Sequence, residues 1–147
     1  MTREQCTQAV LQAKEKKNLS FKALADAIGR HEVWTAAALL GQATMSADEA
    51  TKIASLLELG DDVSSALQTI PMKGSLEQSP PVDPLIYRFH EIVQVYGTTL
   101  KAVIHEKFGD GIMSAIDFTM DIQKVADPKG DRVKVTLDGK FLAYKKW

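Results

Sequence analysis

The sequence predicts an α+β fold in two parts: an all-α amino-terminal half, then a half that combines helices with strands. Three observations carry this expectation. Helical spacing with matched start and stop residues recurs through residue 70. Four of the five prolines fall between Pro71 and Pro84. From Phe118 the apolar period changes to two. A chain of 147 residues fits one domain, or a small domain with an appended segment, and can bury roughly two-thirds of its unfolded surface.

In the first half, Cys6, Val10 and Ala13 share an opening helix, where Cys6 reads as a small core residue. Ser20 caps a helix with Phe21, Leu24, Ala25 and Ile28 on one face, stopped by Gly29. A next stretch, about His31 to Leu40, places Val33, Ala36, Ala37 and Leu40 together before Gly41. Ser46 to Glu49 forms a capping box, followed by Ala50, Ile53, Ala54 and Leu57 at helical spacing. A short helix from Asp61 or Asp62 runs toward Pro71. Short helices in tight succession resemble the helix-turn-helix bundle of repressors. Residues 1–75 are thus expected to be a helical, helix-turn-helix-like domain.

The chemistry for DNA is missing from that domain. The stretch that would enter the major groove, HEVWTAAALL, has no Lys, Arg, Asn or Gln, and Glu32 would face phosphate. Residues 1–75 carry 8 Lys and Arg against 9 Asp and Glu. The whole chain has a net charge of −1, which draws it neither to nucleic acid nor to an anionic membrane. A DNA-binding regulator is the weaker alternative.

The segment PMKGSLEQSPPVDP, residues 71–84, has linker character, and the boundary is drawn with residues 76–83 between the first domain and a second over 84–147. Asp83 and Pro84 open a helix that Gly97 should end; Thr98 or Thr99 caps another, through Lys107 to Gly109; a short one follows around Ile112 to Ile116. Phe118, Met120 and Ile122 alternate with polar residues, as do Val133, Val135 and Leu137. Asp127 to Gly130 is a turn, and Asp138-Gly139 is a hairpin signal before Phe141. Three short strands make a poor isolated sheet, so pairing with a second chain is expected.

One cysteine excludes an intrachain disulfide and fits a reducing compartment. No apolar run approaches the roughly 20 residues that span a bilayer, and MTREQCTQAV lacks a signal-peptide core. The expected location is the cytoplasm, with no membrane partner.

On the helix from Leu85 to Tyr96, the residues Leu85, Ile86, Phe89, Ile92, Val93 and Tyr96 fill one apolar sector, with Arg88 and Glu91 on its border. A pair three residues apart is ordinarily an exposed ion pair of about 0.3–0.5 kcal/mol. At a subunit contact the same pair becomes a preorganised anion site. Ser114 lies in GIMSAI, where the ordinary reading is a hydroxyl bonded back to the preceding turn; no Gly-x-Ser-x-Gly surrounds it. His31, His90 and His105 show no metal-ligand spacing, and His105 reads as part of a solvated helix end. There is no Walker loop and no dinucleotide glycine fingerprint.

The run Tyr87 to Glu91, then Gln94 to Lys101, His105 to Ile112 and Ser114 to Ile116, resembles the signature block of cyanases, the cyanate hydratase (cyanate lyase) family. The similarity extends from about Leu19 to Trp147 and includes Leu39 to Gln42, Lys124 to Pro128 and Thr136 to Lys140. His90, where an aromatic is more usual, and Asp117, where Asn occurs, depart from the pattern away from the catalytic positions. The resemblance implies an amino-terminal domain that does not serve DNA and a catalytic and dimerisation domain with intertwined strands. It also implies a homodecamer of five dimers with active sites where subunits meet. Its catalytic Arg, Glu and Ser match Arg88, Glu91 and Ser114. Cyanate and bicarbonate are the implied substrates and partners, with no metal or organic cofactor. Ammonia release from cyanate separates this reading from a DNA-binding regulator and from a non-catalytic oligomeric anion binder.

Overall fold

A computed structural model describes residues 1–72, 74 and 79–147. Helix and strand are both present, and the chain divides into two compact units, Met1–Ser75 and Leu76–Trp147. Residues 76–78 of the expected linker lie outside the described residues.

The first unit consists of α1 (Arg3–Lys16), α2 (Phe21–Ile28), α3 (Glu32–Leu39), α4 (Ala47–Leu57) and α5 (Asp61–Leu67). Their starts are set by local chemistry. Thr2 with Gln5, and Ser46 with Glu49, form reciprocal capping boxes that satisfy amide donors left orphaned at a helix start. Ser20 caps α2 through the amide of Ala23, and Gly29 ends it in the left-handed conformation, φ 68°. The helices close over Cys6, Val10, Leu24, Leu39, Met45, Ala50, Ile53, Leu57, Val63 and Leu67. Burial pushes the Cys6 thiol up from its ordinary value, so it is a core residue in chemistry as well as position. The Arg3 guanidinium donates to the carbonyls of Ala38 (2.7 Å), Ala43 (2.8 Å) and Ala66 (3.0 Å). Two of these lie in the last turns of α3 and α5, so one cation satisfies the carbonyl ends of two helices.

The face expected on α3 is not the buried one. Thr35, Ala38 and Leu39 are inside, while Leu40 is 46% exposed. The stretch is apolar nearly all round, so its periodicity could not decide which side packs. On α4, where Asp48, Lys52 and Ser55 mark the wet side, the expected Ala50, Ile53, Ala54 and Leu57 are the buried set.

The second unit consists of α6 (Pro84–Phe108) and a hairpin of β1 (Gly111–Val125) and β2 (Arg132–Ala143). Asp83 starts α6 by accepting from the amides of Leu85 and Ile86, both at 2.9 Å, with Pro84 in the first turn. The helix runs straight through Gly97, where two helices had been expected. A glycine ends a helix by taking a positive φ, and Gly97 does not. Its cost inside a helix is only about 1 kcal/mol relative to Ala. Gly109, with φ 90°, is the stop.

The short helix expected at 112–116 is instead part of β1, and there are two long strands in place of three. Asp127 to Gly130 is the hairpin turn: the Asp127 side chain accepts from the Lys129 amide, and Gly130 has φ 122°. Asp138-Gly139 is not a turn; both residues pair within the sheet, with Thr119 and Phe118. The hairpin meets the end of α6 through the stacked rings of Phe108 and Phe141, 5.2 Å apart, and through His105 Nε2, 3.3 Å from the Gly111 carbonyl. His105 is therefore engaged with the hairpin and not simply a solvated helix end.

Candidate active site

The helical spacing of Arg88 and Glu91 brings their side chains together on the first third of α6, with Arg88 Nε 3.4 Å from Glu91 Oε2. The contact uses Nε and leaves the two terminal nitrogens of the guanidinium for a ligand. Arg88 is 61% exposed and Glu91 47%, so within the chain this is a solvated pair. Tyr87 adds a second restraint, with the guanidinium carbon of Arg88 5.3 Å from its ring centre. The other neighbour of that ring is His90, at 5.8 Å and tilted. The Nε2 of His90 is buried without a hydrogen-bond partner. Adjacency of Tyr87 to Arg88 in sequence was visible, but helical neighbours point in different directions, and only coordinates reveal the ring contact.

Ser114 has a different setting. It is buried, 5% exposed, near the root of β1. The strand register passes from Met113 opposite Phe141 to Phe118 opposite Gly139, so residues 114–117 stand against Lys140 alone. This wide bulge folds the chain back on the serine, whose Oγ accepts from the amides of Ile116 and Asp117, each at 3.0 Å. A hydroxyl has two lone pairs and one proton. With both lone pairs occupied, the proton is what Ser114 has to offer a substrate. The bond to a preceding turn expected for a helical serine is replaced by bonds from the amides two and three residues further on.

Arg88 and Glu91 come together, and Ser114 does not join them within one chain. Among the described residues no hydrogen bond or ion pair links the serine to the other two. Arg88 lies 20 residues before the end of α6, about 30 Å along the helix axis from the junction with the hairpin. Nor does α6 bury any residue of its own. Among the described residues no group of three or more His, Cys, Asp or Glu is placed to hold a metal ion. No helix formed by them is long and apolar enough to cross a membrane.

Residues 3–71 match the family described as Cyanate hydratase, N-terminal, and residues 78–146 match the Cyanate lyase C-terminal domain. The cyanate hydratase of Synechococcus sp. CC9311 is 62% identical over 141 residues, covering 96% of this chain and 94% of that one. The cyanate hydratase of Thiobacillus denitrificans is 58% identical over 145 residues, 99% of each chain. In structure, the chain resembles the crystal structure of cyanase from T. urticae, with TM-score 0.83 and 40% identity over 94% of this chain and 96% of that one.

Proposed function

The chain belongs to the cyanate hydratase family, a family of lyases, and we propose that it decomposes cyanate with bicarbonate as co-substrate, releasing ammonia and carbon dioxide. The observation that carries the anion chemistry is the Arg88 guanidinium, restrained by Glu91 and Tyr87 with its terminal nitrogens uncommitted. Both substrates are small monoanions. Attack of a bicarbonate oxygen on the cyanate carbon opens a C–N π bond and gives a dianionic adduct. Taking up one proton on nitrogen, the adduct loses carbon dioxide and leaves carbamate; a second proton then releases ammonia and a second carbon dioxide. Two negative charges in a small site call for fixed donors aimed where charge develops. Arg88 supplies planar charge, Ser114 donates its hydroxyl proton to a substrate oxygen, and Glu91 orients Arg88 and is placed to move a proton. No metal or organic cofactor is needed for this sequence.

The assembly belongs to the same proposal. A helix with no buried residue and a two-stranded sheet exposed on its faces call for a second chain. Copies brought together let Arg88 and Glu91 of one subunit meet Ser114 of another and raise the positive charge above what one Arg, half-neutralised by Glu91, provides. We read the assembly as a decamer of five dimers in the cytoplasm. The first unit is a helix-turn-helix-like bundle that does not serve DNA, since α3, EVWTAAAL, has no Lys, Arg, Asn or Gln, and its Thr35 is buried with its hydroxyl donated to the His31 carbonyl. The test is ammonia release from cyanate with dissolved carbon dioxide and bicarbonate stripped out and then restored. Activity that appears only on restoration is expected; full activity without bicarbonate defeats the mechanism.

A further inference from the structure

We infer that Gly139, on the strand opposite the bulge, is a positioning residue for Ser114. The inference rests on the reading of Ser114 as a donor to substrate. A Cβ built on Gly139 falls inside contact distance of the Ser114 carbonyl oxygen, and 2.7 Å from Met113 Cγ. Real Cβ atoms do not approach other heavy atoms so closely, and the first obstruction is backbone, which cannot swing aside as a side chain does. The space left by the missing side chain is therefore filled by the backbone of Ser114 itself.

That approach has a consequence for the hydroxyl. Gly139 pairs with Phe118, the residue at which regular pairing resumes after the bulge. With the Ser114 carbonyl seated against Gly139, residues 114–117 turn sharply enough for the amides of Ile116 and Asp117 to reach Ser114 Oγ. A side chain at 139 pushes the Ser114 carbonyl away, and the hydroxyl and its two amide donors move with it. Gly139 has no polar side chain and its φ is not in the left-handed region, so neither chemistry nor a turn explains a glycine there. The close approach does.

Four variants of the full chain test this: Ser114→Ala, Gly139→Ala, the two together, and Met113→Ala with Gly139→Ala. The last removes the flexible obstruction and keeps the backbone one, in case Gly139→Ala alone does not assemble. Loss of the donor in Ser114→Ala is expected to lower kcat roughly 100- to 1,000-fold. Displacing it in Gly139→Ala is expected to lower kcat about 100-fold with little change in KM, at unchanged assembled size and far-UV circular dichroism. Because Gly139 acts through Ser114, the double variant should be no slower than Ser114→Ala. A wild-type rate in Ser114→Ala removes the serine from the site, and the inference falls with it. A slow Ser114→Ala beside a fast Gly139→Ala overturns the inference alone, as do multiplicative losses in the double variant. If neither Gly139→Ala nor its combination with Met113→Ala assembles, the glycine serves folding and the positioning role is overturned.

Discussion

In the first unit Leu24, Leu39, Ile53, Leu57 and Leu67 are buried by neighbours from the same 75 residues. In the second, α6 carries Leu85, Phe89, Ile92, Tyr96, Leu100 and Val103, none of them less than 43% exposed. Among the described residues of the second unit, the buried positions are Gly111 and Ser114, both at the root of the hairpin. One unit thus closes its own core, and the other leaves about half the surface of its main helix open. All three candidate catalytic residues are on the open unit. The bundle buries its apolar residues by itself, whereas on the proposed reading a site for two anions gains from being assembled out of more than one chain. Bound anion should in turn favour the assembled state, because a ligand stabilises whatever conformation binds it.

The most damaging way to break this contrast is a charge on the open face far from the candidate site. Leu100 lies 12 residues after Arg88, about 18 Å along α6. Leu100→Asp is expected to dissociate the assembly and abolish activity, while the first unit keeps its own unfolding transition. Sedimentation velocity with activity followed in parallel checks this. A fully active monomer would show that one chain completes the site.

Next in size is Arg88→Lys. The charge is kept, but the planar fork that presents two parallel donors is lost, and Tyr87 no longer has a flat cation beside it. The expected loss in kcat/KM is roughly 100-fold or more. Assembled size should stay unchanged, since the pair is on the margin of the apolar sector. A rate within a few-fold of wild type would reduce Arg88 to a point charge.

The same contrast governs what the sequence reveals. Helix starts are local chemistry, so Ser20, Ser46 and Asp83 were legible as caps from two or three neighbouring residues. Local signals failed where a partner decides. Gly97 has the right identity for a stop, but it takes no positive φ, and the apolar pattern continues past it through Leu100 and Val103. Asp138-Gly139 has the identity of a two-residue turn, and pairing with β1 holds it extended. The bulge at 114–117 spoils the period of two, which is why Ile112 to Ile116 resembled a helical turn. Arg88 and Glu91 were visible as a pair because helical spacing alone brings them together. The amides that fix Ser114 were not, because the register that creates them depends on residues 25 positions away, at Gly139.

The smallest effect sharpens the contrast from the side of the closed unit. Glu49 is 8% exposed at the start of α4, where its Oε2 accepts from the Ser46 amide at 2.8 Å and its Oε1 from Arg30 Nε at 2.5 Å. The Ser46 amide first, and then Arg30, hold its carboxyl below the ordinary value of 4.5, against the opposing effect of burial. A depressed folded value means that the folded state binds the proton less readily than the unfolded chain does. The stability Glu49 contributes is therefore fully present above about pH 4.5 and is lost as pH falls through the lower, folded value. Glu49→Gln keeps an acceptor for the amide but loses the charge, and should lower the stability of the first unit by about 1 kcal/mol at neutral pH, the size of a capping interaction. The gap between wild type and variant should narrow as pH falls below 4.5 and close below the lower, folded value. Glu58, paired to Lys17 at 2.7 Å, is also lowered, so both proteins retain some acid sensitivity and the difference between them isolates Glu49. Trp34 reports on this region directly, since Arg30 lies 5.2 Å from its ring centre. Urea unfolding followed by Trp34 fluorescence, in a Trp147→Phe background and across pH 3 to 7, checks the expectation. If the gap between the two proteins is as wide in acid as at neutral pH, the stabilisation comes from packing and not from the charge.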